Sequence, residues 1–315
     1  MAYIIKGNKV FSDALEVKAV DQCNLSCVSC NEMSPISSKK FPDLTEVNKN
    51  LKYLANFYHA KTVRVLGGEP LIRKDIVEFV KAIRSSGISD SIRIMSNGSY
   101  LDRFTVDLLD VVDSVDISIY PGVNITIDSL YKLKEQCAKY GVDLYVKKTD
   151  FFHLAYSEFG TSDQNLINRV YKTCKIVHLW GCQSMYDGHF FKCFTAPNID
   201  RLIHNRTDYP SGLSLQPRDN FFEKLVNYLN PKELLPACAS CLGTVGKKVS
   251  HSQVGRSRWR ELQNHPSEGL IDYEYLAKSE IKNDWEWEIF EKEFEGFESG
   301  NGIDGLLPLG VFPSD

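Results

Sequence analysis

The chain has 315 residues, of which 43% are hydrophobic and 25% are charged, and its formal net charge is −4. This composition is typical of a globular protein, and the acidic balance gives no reason to expect a nucleic-acid partner. No apolar stretch reaches the length of a transmembrane helix and no signal peptide is recognisable, so we expect a cytoplasmic protein without a membrane partner. Nine cysteines, an odd number, favour reduced thiols and metal sites over disulfides.

The first half of the chain alternates short apolar strands with amphipathic helical stretches. This order predicts an α/β fold built on a parallel sheet. The predicted strands are Leu15 to Val20, Thr62 to Leu66, Ser91 to Met95, Ser114 to Tyr120 and Asp143 to Lys148. The predicted helices are Leu44 to His59, Lys74 to Ser86, Arg103 to Val111 and Ile127 to Tyr140. Functional residues of such sheets lie at the carboxyl ends of the strands.

Three closely spaced cysteines follow the first predicted strand, at Cys23, Cys27 and Cys30. Thiolates this close together can bind one inorganic centre, and they select zinc, copper(I) or iron–sulfur clusters. A closed zinc site needs a fourth ligand, and no His or Cys follows nearby. The loop therefore predicts a [4Fe-4S] cluster with one iron left open to a ligand that is not protein. A zinc loop is the alternative.

The spacing C-x3-C-x2-C, followed after the second strand by Gly67, Gly68, Glu69 and Pro70, resembles the radical S-adenosylmethionine (SAM) superfamily. The resemblance implies that SAM binds the open iron through its amino and carboxylate groups, and that the Gly-Gly-Glu-Pro turn binds the amino group. It also implies a partial (β/α)6 TIM-type barrel. Many members carry an aromatic residue before the third cysteine, where it contacts the adenine. This chain has Ser29 at that position.

Further polar residues lie where the resemblance places SAM. Ser96 and Asn97 follow the third strand and are predicted to contact the SAM ribose, with Ser118 in the same region. A plain Ser-Asn-Gly turn is the alternative for the first two. In the fourth strand Asp116, Ser118 and Tyr120 share one face, which predicts a polar barrel lumen. Exposure of that face at a sheet edge is the alternative.

A second set of cysteines lies in the second half of the chain. Its members are Cys174, Cys193, Cys238 and Cys241. Residues 183–193 contain an Asp-Gly turn, which predicts a hairpin that returns Cys193 toward Cys174. The pattern C-x9-15-G-x4-C with a later CxxC pair resembles the "twitch" subdomain of the same superfamily, and implies an auxiliary [4Fe-4S] cluster. Spacing alone also allows zinc.

Two cysteines lie outside both sets. Cys182 is adjacent to the second set and is predicted as a catalytic residue, a hydrogen-atom donor to a substrate radical. A substitute ligand and a packed thiol are its alternatives, since free cysteines are commonly buried and inert. Cys137, inside a predicted helix, is expected to be a small buried residue without a further role.

We predict three regions: residues 1–160 as the partial barrel with the radical SAM core, 161–260 as a twitch-like auxiliary-cluster subdomain, and 261–315 as a C-terminal helix and tail. Five cations between Gly243 and Arg260 form either an anion site or a surface patch that is solvated or paired with the chain's own acids. The acidic, aromatic stretch 272–300 is predicted to be a docked helix.

The resemblance and the polar lumen together favour one activity. We expect a 5′-deoxyadenosyl radical to abstract hydrogen from a carbohydrate, aminocyclitol or nucleotide-sugar substrate, in a reaction of dehydrogenase, epimerase or dehydratase type. A radical SAM peptide-modifying enzyme and a non-catalytic metal-binding protein are the alternatives. The expected protein partner is an electron donor of flavodoxin or ferredoxin type, because the cluster has to be reduced.

Overall fold

The computed structural model describes residues 3–281 and contains one large sheet within them. The strands are β1 (Tyr3–Lys6), β2 (Lys9–Val20), β3 (Tyr58–Gly67), β4 (Ser89–Ser96), β5 (Ser114–Ile119), β6 (Asp143–Lys148), β7 (Phe151–His153), β8 (Cys182–Tyr186), β9 (His189–Phe191), β10 (Leu213–Ser214) and β11 (Lys248–Ser250). The large sheet has the order β10-β9-β8-β2-β3-β4-β5-β6, with β1 paired to β2, while β7 and β11 pair separately.

The helices of the first half connect successive strands of this sheet. In chain order the α-helices are α1 (Leu44–Leu54), α2 (Ile76–Ser85), α3 (Val106–Leu109), α4 (Ile127–Tyr140), α5 (Gln164–Lys172), α6 (Lys175–His178), α7 (Ala196–Leu202), α8 (Phe221–Tyr228), α9 (Arg256–Glu261), α10 (Ser267–Leu270) and α11 (Tyr273–Ile281). Thr126 caps α4 by accepting a bond from the Ser129 amide, and Gly141 ends it in the left-handed conformation. The predicted bounds of this helix are confirmed.

Strands β2 to β6 run parallel to one another, and β8 adds in parallel on the free side of β2. The predicted α/β fold with a mostly parallel sheet is therefore confirmed. The carboxyl ends of the neighbouring strands β2 and β3 lie at the same edge, where Val20 pairs with Gly67. The loops that follow these strands meet at this edge.

The two faces of the sheet differ in polarity. One face packs under the helices, and its buried core includes Val63, Val65, Ile92, Ile94, Val115, Ile117, Phe79 and Leu130. The opposite face of β5 carries the buried polar residues Asp116 and Ser118, and Lys147 of β6 forms an ion pair with Asp116 at 3.2 Å. The predicted alternation of apolar and polar faces in this strand is confirmed, and its polar residues Asp116 and Ser118 are buried, not exposed at a sheet edge.

Several predicted elements have different bounds, and the helix predicted over Arg103 to Val111 is shortened to Val106–Leu109. The helix predicted over Leu44 to His59 ends at Leu54, because Tyr58 already begins β3. Tyr58 fits the helical spacing of apolar residues after Leu54. In the structure it is the first residue of β3, where it is fully buried and packs against the Phe190 ring at 5.1 Å between centroids. The first predicted strand begins earlier than expected, at Lys9, because residues 3–6 form a hairpin with it.

The second half of the chain continues the same sheet. The predicted hairpin is present as β8 and β9, and both turn residues, Asp187 and Gly188, have positive φ angles of 47° and 73°. Through the pairing of Ala14 with Cys182, β8 joins this hairpin to β2. The region boundaries proposed at 160 and 260 stay predictions. Within the described residues, no helix combines the length and apolar character that crossing a membrane requires.

Only part of the predicted C-terminal helix is described. Helix α11 occupies its first residues and packs against α5, where the Arg169 guanidinium forms a salt bridge with Glu280 at 2.7 Å. The Lys175 Nζ also donates to the Tyr275 hydroxyl at 2.7 Å. The remainder of the predicted helix, from residue 282 onward, lies outside the described residues.

Candidate active site

The three cysteines of the first set converge at the carboxyl end of β2. Ser29 and Met33 adopt left-handed conformations, with φ of 53° and 52°, so the chain curls through the loop. Burial is the main cause that raises the pKa of the Cys23 thiol to about 12, and the proximity of Cys30 adds to it. Burial, together with the charges of Cys30 and Cys23, also raises the pKa of Cys27. Thiolates form here only with a cationic centre, so metal binding would release protons.

A distant segment holds this cysteine loop in place. The Val28 amide donates to the Ser252 carbonyl at 2.8 Å, and the Val254 amide donates to the Ser26 carbonyl at 2.9 Å. The Trp259 indole N–H donates to the Cys27 carbonyl at 2.9 Å. Sequence reasoning missed this strap, residues 251–254, because nothing in its composition indicates a partner more than two hundred residues away.

The Gly-Gly-Glu-Pro turn follows β3 and lies directly on the cysteine loop. The Gly68 amide donates to the Val20 carbonyl at 2.8 Å, and the Glu69 amide donates to the Gln22 carbonyl at 3.0 Å. A Cβ atom on Gly68 would overlap the Gln22 carbonyl oxygen. The second glycine is therefore required by the close approach of two backbones.

Glu69 is completely buried and is held by the loop that follows β4. Its Oε1 accepts from the Ser96 hydroxyl at 2.9 Å and from the Leu71 amide at 3.2 Å, and its Oε2 accepts from the Asn97 amide at 2.8 Å. Burial raises the pKa of Glu69 to about 7, and these three hydrogen bonds oppose the rise. The carboxylate is thereby fixed beside Cys23, close enough to raise the pKa of that thiol.

The residues predicted for the SAM ribose are placed in this edge of the sheet. Ser96 orients Glu69, as described above. The Asn97 side-chain amide donates to Asn24 Oδ1 at 2.9 Å and to the Cys23 sulfur at 3.5 Å, so it also supports the cysteine loop. Ser118 is buried on the lumen face of β5. Direct contact of these three side chains with SAM stays a prediction.

The structure fits a cluster with an open iron and bound SAM. Three thiols of one loop lie close together, and a buried carboxylate stands beside the first of them. An amide N–H of Leu25 and the side chain of Asn97 donate to the Cys23 sulfur, the kind of bond that tunes iron–sulfur clusters. Cys23, Cys27 and Cys30 would hold the cluster, and Glu69 would accept a hydrogen bond from the SAM amino group.

The second set of cysteines also converges. Cys241 lies near Cys174, Cys193 and Cys238, whose charges add to the effect of burial in raising its pKa. No three side chains among residues 3–281 are arranged to hold a single metal ion. A four-iron cluster does not require its thiolates to meet at a single ion, since each thiolate binds its own iron. The charge of Cys174 contributes to raising the pKa of Cys182, so Cys182 lies close to this set, although it is not among the cysteines whose charges perturb Cys241 or Cys193.

Lys192 brings a buried cation to this second set. Its Nζ donates to the carbonyls of Asn230 and Glu233 at 2.8 and 2.7 Å, and burial lowers its pKa to about 8. The lysine precedes Cys193 and also interacts with the charge of Cys238. A cation at this position stabilises negative charge on the neighbouring thiolates.

A buried ion network connects the two cysteine sets. Asp21, two residues before Cys23, accepts bonds to both oxygens from the Arg201 guanidinium at 3.0 and 3.1 Å. It also accepts from the Tyr186 hydroxyl at 2.7 Å. Arg201 belongs to α7, which follows Cys193. Because Asp21 is only 1% exposed, this pairing fixes the cysteine loop relative to the second half of the chain.

Cys182 lies on the polar face of the sheet, beside the ionisable side chains of Glu16 and Arg64. The Arg64 Nη1 lies 3.8 Å from the Cys182 sulfur and 3.7 Å from Glu16 Oε1. Burial raises the pKa of Glu16 to about 8, against the lowering effect of Arg64. Burial thus favours the neutral carboxyl of Glu16. Sequence reasoning missed Glu16 and Arg64, although both lie on strands and alternate with buried apolar residues.

The other sequence expectations have clear outcomes. Cys137 is 1% exposed in the core, as predicted.

Cations of the 243–260 segment bind other parts of the chain: Lys247 donates to the Gly269 carbonyl, Arg256 to the Ile36 carbonyl, and Arg260 pairs with Glu158. Pairing within the chain is therefore the better description of this segment, with backbone carbonyls as important as acids.

Comparison with known proteins assigns the first half of the chain. Residues 17–154 match the Radical SAM superfamily. This part of the chain is therefore a radical SAM superfamily domain, and such a domain implies SAM and a [4Fe-4S] cluster.

Two curated relatives carry the same activity name. The chain is 36% identical to the "Probable GTP 3′,8-cyclase" of Methanothermobacter marburgensis over 106 residues, which are 33% of this chain and 34% of that protein. It is 31% identical to the GTP 3′,8-cyclase of Listeria monocytogenes over 122 residues, 38% of this chain and 34% of that protein. The match spans about a third of the length of these relatives.

One solved structure can be aligned along most of the chain. It is that of hexahistidine-tagged anSMEcpe with bound AdoMet, and the alignment covers 86% of this chain and 95% of that protein, at 13% identity and a TM-score of 0.49.

The curated relatives correct the expected reaction. A carbohydrate, aminocyclitol or nucleotide-sugar substrate and a dehydrogenase, epimerase or dehydratase activity are contradicted, since the relatives are named as cyclases of GTP. The prediction relied on the superfamily resemblance together with the polar face of the fourth predicted strand. Polar side chains in a lumen accommodate any hydrophilic ligand, so they do not distinguish a sugar from a nucleotide.

Replacing Gly68 by Ala tests the contact between the turn and the cysteine loop. The added methyl would overlap the Gln22 carbonyl, so we expect destabilisation of about 1–3 kcal/mol and loss of iron from the first site. Gly255→Ala is the matched control, because its added Cβ has nothing within 4 Å. Iron analysis and thermal unfolding would be measured on both. Normal iron content in Gly68→Ala would contradict the proposed contact.

Proposed function

We propose that this protein is a radical SAM enzyme, which binds SAM at the first cysteine set and uses it for hydrogen abstraction from a substrate in the lumen. The observation that carries the proposal is the contact of the cysteine loop with the Glu69 turn, through Gly68 and Val20 and through Glu69 and Gln22. This contact places a buried carboxylate beside the first thiol. Neither a structural zinc loop nor an ordinary turn requires that arrangement.

Each group at the site has a separate task. When bound, the reduced cluster and SAM supply a 5′-deoxyadenosyl radical able to abstract hydrogen from an unactivated carbon. Cys23, Cys27 and Cys30 hold the cluster, and Glu69 orients SAM through its amino group. The paired charges of the lumen, such as Asp116 with Lys147, orient the substrate without leaving a buried charge uncompensated.

The second cysteine set is proposed to hold an auxiliary [4Fe-4S] cluster. Support comes from the convergence of the four thiols and from the buried Lys192 ammonium beside them. Four thiolates around one cluster leave no iron open, which would suit a role in electron transfer or in anchoring this half of the chain. Cys182 faces Arg64 and Glu16 instead, so we propose that it is not a ligand.

A phosphorylated nucleotide is the proposed substrate class, with GTP as the first compound to test. The names of the curated relatives support it. Arg64 supports it independently, because its guanidinium lies on the polar face of the sheet, 3.7 Å from Glu16 Oε1, which is longer than a good N–H···O hydrogen bond. Because burial favours the neutral form of Glu16, this carboxyl compensates the Arg64 charge less fully. A guanidinium with unused donors binds phosphate well.

SAM cleavage tests the proposed function. Anaerobically reconstituted, reduced protein should form methionine and 5′-deoxyadenosine. Glu69→Gln should bind SAM about 10–100-fold more weakly, because it loses a charge-assisted hydrogen bond. Glu78→Gln is the control, since Glu78 is exposed on α2. A wild type that carries iron but cleaves no SAM would favour a non-catalytic metal-binding protein.

Iron content tests the assignment of ligands. Wild type should hold about eight irons, and a Cys174→Ala/Cys193→Ala double variant about four, as two four-iron clusters require. Cys182→Ala should keep the wild-type content because Cys182 contacts Arg64. Iron loss in Cys182→Ala would make it a ligand. A wild type with about four irons and stoichiometric zinc would remove the auxiliary cluster.

Arg64→Met tests the substrate proposal. Loss of a phosphate contact should weaken GTP binding about 10–100-fold while SAM binding stays unchanged. Arg84→Met is the matched control, since Arg84 lies on α2 and pairs with Asp113 on the outside of the sheet. Equal GTP affinity in wild type and Arg64→Met would contradict the role given to Arg64. Binding of GTP would be measured by calorimetry.

A further inference from the structure

His251 is a buried side chain whose polar atoms have no partner in the described part of the chain. The residue is 7% exposed, and both Nδ1 and Nε2 are buried without a hydrogen bond. Buried polar groups in folded proteins are nearly always satisfied, so two unsatisfied nitrogens on one ring call for a partner that is not protein. No role in the cysteine sites described above uses this ring.

The backbone places His251 beside the cysteine loop. The His251 amide donates to the Asp150 carbonyl at 2.8 Å, which fixes the residue just after β11 near the carboxyl end of β6. The next residues form the strap that bonds the cysteine loop through Ser252 and Val254. The imidazole therefore stands at the edge of the sheet where SAM is proposed to bind.

Two aromatic rings flank the imidazole. Tyr120, which follows β5, stacks on His251 with 4.9 Å between centroids and 15° between ring planes. Phe152 packs against the imidazole at 5.5 Å and against Tyr120 at 5.7 Å. Tyr120 is also close enough to Cys27 and Cys30 for their charges to raise its pKa further, after burial. An aromatic wall thus stands beside the cluster loop.

The cysteine loop itself offers no such wall. Ser29 stands before the third cysteine, and its hydroxyl donates to the His153 carbonyl at 2.9 Å. The side chain is thus directed to the backbone of β7 and is 1% exposed. Ser29 therefore offers no aromatic contact to the base of a bound SAM, whereas the three rings lie beside the same loop.

The chemistry of the imidazole suits adenine. Burial lowers the pKa of His251, although Asp150 opposes this, so the neutral ring predominates at pH 7. A neutral imidazole has one N–H donor and one acceptor nitrogen. Adenine presents an amino donor at N6 beside the acceptor N7. One nitrogen of His251 can therefore bond this edge of adenine, either by donating to N7 or by accepting from the N6 amino group, since the two ring nitrogens point in diverging directions.

We infer that His251 hydrogen-bonds the adenine of SAM, with Tyr120 and Phe152 forming the apolar wall of the adenine pocket. The inference rests on the proposed function, since it requires that SAM binds at the cysteine loop. It makes His251 a binding residue supplied by the strap, in place of an aromatic side chain from the loop.

The test measures binding of three probes to the anaerobically reconstituted full chain: SAM, 5′-deoxyadenosine and methionine. His251→Phe keeps the aromatic stack and removes both nitrogens, so SAM and 5′-deoxyadenosine should bind about tenfold more weakly. Methionine, which lacks the base, should bind unchanged. His251→Asn, which retains a donor and an acceptor, should recover part of the affinity for SAM. Iron content verifies that each variant is loaded.

His59→Phe is the matched control, because His59 lies at the opposite end of β3 and pairs with Asp90. The control should bind all three probes as wild type does. If His251→Phe binds SAM as tightly as wild type, the adenine contact is wrong. Equal weakening of methionine would also overturn it, since that result indicates a general disturbance of the site. A wild type that binds no SAM would instead overturn the proposed function, and the inference with it.

Discussion

The site depends on the contact of two backbones at the carboxyl edge of the sheet. The cysteine loop after β2 and the glycine turn after β3 come so close that the Gly68 position has no room for a Cβ atom. Two hydrogen bonds, to the carbonyls of Val20 and Gln22, maintain this distance. The parallel pairing of β2 with β3 makes the contact possible, because it brings both loops to the same edge.

Charge around the site is controlled by burial and pairing. Asp21 neutralises Arg201 beneath the cysteine loop, and Glu69 is held by three donors above it. Arg64 differs from these groups, since its nearest acid, Glu16, has a pKa raised to about 8 by burial. A lumen in which one guanidinium is incompletely paired is prepared for an anionic ligand. The incompletely paired Arg64 guanidinium is one reason why a nucleotide is the proposed substrate, and the names of the relatives agree with it.

The sequence predicted features that depend on local spacing, and it missed those that depend on distant contacts. The convergence of the first three cysteines, the Asp-Gly hairpin and the full extent of α4 could be predicted, because each is encoded within a short stretch of sequence. Tyr58 was misassigned because its spacing fits a helix and a strand equally well. The strap at His251 could not be foreseen, since its partners are loops far away in the chain. The prediction of a sugar-like substrate was wrong for another reason. Polar side chains on one face of a sheet do not define the shape of the ligand that binds there.

The most direct test of the central claim is electron–nuclear double resonance on the reduced protein with SAM labelled with 15N at its amino group. The account predicts a hyperfine coupling between this nitrogen and the cluster, because Cys23, Cys27 and Cys30 leave one iron open and Glu69 directs the amino group toward it. A reduced cluster that is fully formed, yet has a spectrum that SAM does not change, would contradict the assignment of the site.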